Sequence, residues 1–180
     1  MSPAQRAVYD QIKAGPRGEV VGPLLVWLQS PELAERAQAL GQFARYDSAL
    51  RPKLSELAIL VTARLWSADF EWAHHAPLAA AAGVTDAVIA RIAAGARPDL
   101  PDPEMAAVFD VAVELHRDRA IADATFERAK DALGMRRLVD LIGLCGYYSL
   151  ISMTINAFEV PVDAGPRLPP VSRRPHEMFR

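Results

Sequence analysis

The fold of this chain is decided by residues 52–66, which read PKLSELAILVTARLW. Pro52 suits the first position of a helix, and the residues after it are mostly alanine, leucine, isoleucine and valine. The stretch therefore predicts an α-helix with little polar surface, and such a helix is expected at the centre of the protein. Its polar exceptions are Ser55, Glu56, Thr62 and Arg64. A buried acid such as Glu56 needs a partner or a proton.

The next stretch, residues 69–75, reads DFEWAHH. If it is helical, Glu71 and His75 share one face because they are four residues apart. An imidazole titrates near neutrality, and a carboxylate can orient it or exchange a proton with it. With Glu56 supplied by the preceding helix, the two stretches predict a proton-handling cluster. The alternative is an exposed ion pair worth a few tenths of a kcal/mol, but the flanking Phe70 and Trp72 favour burial.

Helix signals recur along the rest of the chain, and no convincing strand is found. Helices are predicted at about residues 4–14, 31–46, 52–66, 69–82, 87–94, 103–117, 123–133 and 136–158. The predicted fold class is all-α, a compact bundle of seven or eight helices.

Local patterns fix several of these predicted helices. Side-chain caps are expected at Ser30, Thr85, Asp102 and Asp123, each just before a helical pattern. In the helix at 31–46, the buried stripe is expected to consist of Leu33, Ala37, Leu40 and Ala44.

Length and composition indicate one globular domain, residues 1–180, with a core at 30–160 and a proline-rich tail at 161–180. The tail is expected to be irregular or to lie across a neighbouring subunit. Apolar residues make up 51 %, charged residues 23 %, and the net charge is −2, which argues against a basic nucleic-acid-binding protein. The N-terminus lacks the apolar run of a secretory signal, and no uninterrupted apolar stretch reaches membrane-spanning length. We therefore expect a cytoplasmic protein without a membrane partner.

No metal site or cofactor is predicted. The single cysteine, Cys145, excludes an intrachain disulfide and a thiolate-rich metal site, and is expected to be a small core residue. Glu71 and His74 have the E-x-x-H spacing of half a di-iron site. The second half is missing, because neither His116 nor His176 has a glutamate three residues before it.

The sequence resembles a known family at three places: LSELAIL at 54–60, FEWAHH at 70–75 and AGVTD at 82–86. These are similar to the carboxymuconolactone decarboxylase family, which includes the alkylhydroperoxidase-D-like proteins, and the similarity covers about residues 30–160. The resemblance implies an all-helical alkylhydroperoxidase-D-like bundle that forms a homo-oligomer, as a dimer, trimer or hexamer.

The peroxidase branch of that family uses a glutamate, a C-x-x-C pair and a histidine. On this chain the glutamate matches Glu56 and the histidine matches His75, but the two cysteine positions hold Ala68 and Glu71. Without a dithiol, peroxidase or disulfide-reductase activity is disfavoured. The chain resembles the decarboxylase-like branch instead.

The resemblance implies a decarboxylation of a small carboxylated lactone or related acid by cofactor-independent acid/base chemistry. It also implies a place in aromatic compound catabolism. The expected catalytic residues are Glu56, Glu71 and His75, and the expected substrate-binding residues are Arg64, with Arg51 as its alternative, Trp72 and His74. A hydrolase or isomerase acting on another small acid is the alternative within enzymes. A catalytically silent, ligand-binding oligomeric member is the alternative outside them.

Overall fold

The computed structural model describes residues 1–171 and 175–179 and shows an all-helical protein, with no strand among those residues. The α-helices are α1 (Pro3–Ala14), α2 (Pro23–Trp27), α3 (Pro31–Gln42), α4 (Pro52–Trp66), α5 (Asp69–Ala81), α6 (Asp86–Ala93), α7 (Pro103–Arg117) and α8 (Asp123–Ala157). The predicted fold class is confirmed. The only further helical pieces in the described ranges are a π-helical turn at Phe43–Asp47 and a 3₁₀ turn at Pro175–Glu177.

Helix α4 is the centre of the fold, as its sequence predicts. Every residue from Leu54 to Leu65 is buried, and the helix packs against α5, α7 and α8. Because α4 is surrounded, its polar side chains cannot reach bulk water and must find partners inside the protein. This is why Glu56 is informative about the site.

The turn between α4 and α5 orients the two helices that carry the predicted cluster. Ser67 adopts the left-handed conformation, with φ of 50°, and Ala68 is fully buried. The chain therefore reverses within two residues, and α5 packs directly against α4. Side chains nineteen residues apart in sequence are brought face to face.

The predicted buried stripe of α3 is wrong at two positions. Leu33 and Leu40 are 45 % and 48 % exposed, whereas Ala34, Ala37, Gln38 and Gly41 are buried. The buried face consists mainly of small residues, which allow close packing of the helix against its neighbours. Helix α3 also ends earlier than predicted, and the π-helical turn takes over at Phe43.

The caps predicted at Thr85 and Asp102 are present, since these side chains accept hydrogen bonds from the Val88 and Glu104 amides. Ser30 precedes α3 but forms no side-chain cap. Asp123 is the first residue of α8 rather than its cap, because the N-cap position is held by Ala122.

Helix α8 is two helices joined by a kink, as the separate predictions for 123–133 and 136–158 indicate. The kink lies at Gly134, whose φ of 74° a glycine adopts without strain. By length and composition alone, α8 is the one helix of the described residues that could cross a membrane. In its most apolar window, 56 % is buried inside the protein, as in a core helix.

The tail runs back along its own chain. Residues 161–171 have no regular secondary structure. The Leu168 amide donates a hydrogen bond to Asp69 Oδ1 at 3.1 Å, and the Arg64 guanidinium donates one to the Pro169 carbonyl at 3.0 Å. These contacts fix the tail against the start of α5 and the end of α4.

The tail also reaches the core near its end. Met178 and Phe179 are buried, the Phe179 amide donates to the Gly95 carbonyl at 2.9 Å, and its ring meets Phe109 edge to face. Helices α1 and α2 contribute to the same core through residues such as Ile12 and Trp27. The packed core thus extends beyond residues 30–160 in both directions.

Candidate functional site

The three residues predicted to form a proton-handling cluster are joined by two short hydrogen bonds. His75 Nδ1 lies 2.7 Å from Glu56 Oε2, and His75 Nε2 lies 2.8 Å from Glu71 Oε1. All three side chains are less than 10 % exposed. The imidazole is therefore held between two buried carboxylates, one from α4 and one from its own helix.

This arrangement fixes how many protons the cluster holds. Each of the two N···O hydrogen bonds needs one proton, so the three groups share two. Either His75 is an imidazolium between two carboxylates, or it is neutral and one glutamate is protonated. Both distributions have a net charge of −1, and interconverting them requires only movement of a proton along a hydrogen bond.

The two adjacent histidines have opposite proton affinities. Burial lowers the pKa of His75, but the charge of Glu71, hydrogen bonds to both glutamates and the charge of Glu56 outweigh it, so this pKa is raised above the usual 6.5. Burial, together with the positive charges of His75 and Arg45, lowers the pKa of His74. His75 therefore binds a proton more readily than His74 does.

Two tyrosines of α8 form the wall beside His75. The Tyr148 ring meets His75 edge to face at 5.2 Å, and the Tyr147 ring meets Tyr148 in the same way at 5.3 Å. Burial raises the pKa of Tyr147 to about 12 and that of Tyr148 well above its usual value. Both hydroxyls therefore remain protonated at neutral pH.

The cluster opens into a cavity of about 300 Å³, which is at the small end of ligand sites. The cavity is lined by Arg17, Glu19, Val21, Pro23, Leu24, Arg45, Tyr46, Phe70, Glu71, His74, His75, Pro77, Leu78, Tyr147, Tyr148 and Ile151. Glu71 and His75 reach the cavity, whereas Glu56 lies behind them. The exchangeable protons of the cluster are accessible from the Glu71 side.

Two guanidinium groups also line this cavity. Arg45, in the π-helical turn after α3, has its Nε 4.0 Å from Glu56 Oε1, and its side chain is 14 % exposed. Arg17, in the loop between α1 and α2, donates a hydrogen bond to the Tyr147 hydroxyl at 3.2 Å. Both guanidinium groups lie near the Tyr46 ring, at 5.0 Å for Arg45 and 6.0 Å for Arg17. The cavity therefore combines a proton relay with positive charge, which suits a small anionic ligand.

The structure does not place Arg64 and Trp72 where a substrate-binding role requires them. Trp72 is buried on the core side of α5 and does not line the cavity. Arg64 extends away from the cavity, because it lies two helical turns beyond Glu56 on α4. Its guanidinium binds Ser67 Oγ at 2.8 Å and two backbone carbonyls, one of them in the tail. Arg64 is a structural residue in this arrangement.

The other side chains singled out from the sequence lie in three different environments. His74 lines the cavity, and its contact with a substrate stays a prediction. Arg51, the alternative cation, pairs with Glu104 at the surface. Cys145 is buried, and burial raises the pKa of its thiol to about 12. Among residues 1–171 and 175–179, no group of three or more His, Cys, Asp or Glu side chains is arranged to hold a metal ion.

These features define an all-helical protein in which a buried carboxylate–imidazole–carboxylate relay opens into a small cavity with two guanidinium groups. Residues 31–114 match the model of the carboxymuconolactone decarboxylase family, in agreement with the resemblance seen in the sequence. The fold is consistent with the alkylhydroperoxidase-D-like all-α fold. No curated protein matches the chain significantly.

The family match contains the relay but not the whole cavity. Glu56, Glu71 and His75 lie within residues 31–114, as does Arg45. Arg17 and the two tyrosines of α8 lie outside it. Sequence reasoning did not single out Arg17 or Arg45 for the site. The glycine- and proline-rich loop around Arg17 was the only local signal that this part of the chain is not regular helix.

Proposed function

We propose that this protein is a decarboxylase-like enzyme that performs cofactor-independent acid/base chemistry on a small carboxylated lactone or a related acid. The observation that carries the proposal is the hydrogen-bonded chain Glu71–His75–Glu56, which is buried yet open to the cavity through Glu71 and His75. A relay of this kind can deliver a proton to a carbon atom of a bound ligand and recover one from solvent.

The proposed reaction proceeds in two steps. The bond between the substrate carbon and its carboxylate breaks, carbon dioxide leaves, and the electron pair enters the conjugated lactone as a dienolate. The relay then gives one of its two protons to the dienolate carbon, and water restores that proton. The conjugated carbonyl accepts the electron pair, so this step needs no further electron sink.

We assign to Arg45 the stabilisation of the negative charge that develops on the substrate during the reaction. Its guanidinium lies in the cavity and close to the relay, whereas Arg64 and Arg51 do not reach this space. A fixed cation in the cavity stabilises negative charge on the lactone carbonyl, and this stabilisation grows as the bound substrate displaces water. Arg45 also balances the single negative charge of the relay.

The test is turnover of 4-carboxymuconolactone by the purified protein, followed as loss of substrate absorbance. We expect Glu71→Gln and His75→Gln to lower kcat by about 10²- to 10⁴-fold, the usual contribution of a positioned acid or base. Glu35→Gln and His176→Gln are matched controls, because both residues are exposed and neither lines the cavity. Circular dichroism spectra establish that each variant is folded.

Wild-type turnover that survives in both relay variants would falsify the assigned roles. No turnover by the wild-type protein would remove this substrate and direct the test to other small lactones and carboxylic acids. Binding of such acids without turnover at any pH would instead favour the ligand-binding alternative.

A further inference from the structure

The loop between α1 and α2 contributes a cation to the cavity from outside the matched family segment. Arg17 lines the cavity, and its guanidinium donates a hydrogen bond to the Tyr147 hydroxyl from α8. Its Nε is buried without a hydrogen-bond partner. In the described parts of the chain, no carboxylate lies within ion-pair distance of Arg17. Glu19 also lines the cavity but is exposed and does not pair with it.

The packing around Arg17 holds the guanidinium in one place. Gly41 on α3 faces both Arg17 and Tyr147, and a Cβ at this position would overlap the Tyr147 ring and hydroxyl and crowd the Arg17 Nη2 atom. The Tyr46 ring lies within cation–π distance of the guanidinium. A glycine, a tyrosine hydroxyl and an aromatic ring thus position a charge that has no ion-pair partner among the described residues.

The charges within the cavity distinguish Arg17 from Arg45. The relay has a net charge of −1, and Arg45 lies 4.0 Å from its Glu56 carboxylate, so these two charges offset each other. Arg17 lies on the Tyr147 side, and no carboxylate of the described residues forms an ion pair with it. Because Nε is buried, only the terminal nitrogens of the Arg17 guanidinium can reach a carboxylate in the cavity, and they can donate charge-assisted hydrogen bonds to it.

We propose that Arg17, positioned by Gly41 and Tyr147, is the specificity-determining residue that binds a carboxylate of the substrate away from the reacting bond. This inference rests on the proposed function for the identity of the reacting end, but the binding role of Arg17 can be measured without turnover. The ligand class is a small dianion in which one carboxylate lies at Arg17 and the other end lies at Glu71 and His75. The segment before residue 31 is then part of the site.

The experiment compares binding of adipate and dimethyl adipate by calorimetry to the unmodified 180-residue protein and to Arg17→Met. In the wild type, adipate is expected to bind at least roughly 10- to 100-fold more tightly than the uncharged diester, as for one buried charge-assisted contact. In Arg17→Met this ratio should fall by roughly 10- to 100-fold, while the affinity for the diester changes little. Arg36→Met is the matched control, because Arg36 is a 73 % exposed arginine outside the cavity lining.

A second variant separates positioning from charge. Gly41→Ala keeps Arg17 but displaces it and Tyr147, so the adipate preference should also fall, whereas Arg17→Lys should retain part of it.

An unchanged adipate preference in Arg17→Met would overturn the proposal, as would equal binding of the two ligands by the wild type or an equal loss of both ligands. Selective loss of adipate binding without turnover of any lactone would leave the role of Arg17 standing and remove the proposed function. Conversely, the proposed function would stand and the role of Arg17 would be overturned if the protein turned over the lactone and Arg17→Met had the same KM as the wild type.

Discussion

Replacing Glu56 by glutamine tests whether the buried carboxylate behind His75 sets the proton affinity of the relay. The substitution keeps the size of the side chain and an acceptor for His75 Nδ1, but removes the negative charge 2.7 Å away. A buried hydrogen bond to a charged group contributes about 1.5–3 kcal/mol, and a neutral one about 0.5–1.5 kcal/mol. We therefore expect Glu56→Gln to reduce the stabilisation of the protonated relay by about 1–1.5 kcal/mol.

The sign of the resulting pH dependence follows from the raised pKa of His75. The folded protein holds this proton more tightly than the unfolded chain does, so the linked stabilisation is fully present below about pH 6.5, the unfolded value. It is lost as the pH rises through the folded pKa. In Glu56→Gln the pKa of His75 in the folded protein is lower than in the wild type. The pH-dependent part of the free energy of unfolding is therefore smaller by about 1–1.5 kcal/mol.

The assay is urea unfolding of both proteins at pH 5.5 and pH 9, together with NMR titration of the histidine ring signals. Other titrating groups are common to the two proteins and cancel in the difference. Glu35→Gln, which removes an exposed carboxylate, should leave both measurements unchanged. An identical pH dependence in Glu56→Gln and the wild type would refute the argument that Glu56 controls this proton.

Three further changes test the packing around the site. Leu57→Ala should lower the free energy of unfolding by about 2–5 kcal/mol, because Leu57 is fully buried in α4; a loss below 1 kcal/mol in urea unfolding would contradict its central place. Arg64→Met should lower stability by about 1.5–3 kcal/mol and speed proteolysis of the tail, with little change in ligand affinity, since Arg64 binds the tail and not the cavity. Burial raises the pKa of the Cys145 thiol to about 12, so iodoacetamide at pH 8 should label the protein rapidly only after denaturation, as judged by mass spectrometry; fast labelling of the native protein would contradict this.

The relay could be anticipated from sequence because its members sit on strongly patterned helices. Glu71 and His75 are four residues apart on one helix, so their approach needs only helical geometry. Glu56 is an acid in a helix that is otherwise apolar, which already requires a buried partner. Together with the family resemblance, this was enough to bring Glu56 to His75. The residue pattern of the two helices does not indicate on which side of the cluster the cavity lies.

The cations of the site could not be predicted, because no periodic pattern places them. Arg17 and Tyr147 are 130 residues apart, and their contact depends on how a short loop packs against α8. Arg45 lies in a π-helical turn, where the extra residue per turn changes the face on which a side chain appears. The sequence pointed to Arg64 because it is a cation in α4. Eight residues of helix amount to about 12 Å, which places Arg64 at the opposite end of α4 from Glu56.

The identity of residue 71 decides what this relay can exchange with a ligand. In the resemblance to the peroxidase branch, positions 68 and 71 would hold the two thiols that take part in electron transfer. Here Ala68 is a fully buried core residue, and Glu71 presents a carboxylate 2.8 Å from His75 Nε2. A carboxylate in that place accepts and returns protons, while the thiol–disulfide step requires two sulfur atoms at these positions. The two helices therefore hold, in this chain, a carboxylate–imidazole–carboxylate cluster in place of a dithiol, with Arg45 and Arg17 lining the cavity beside it.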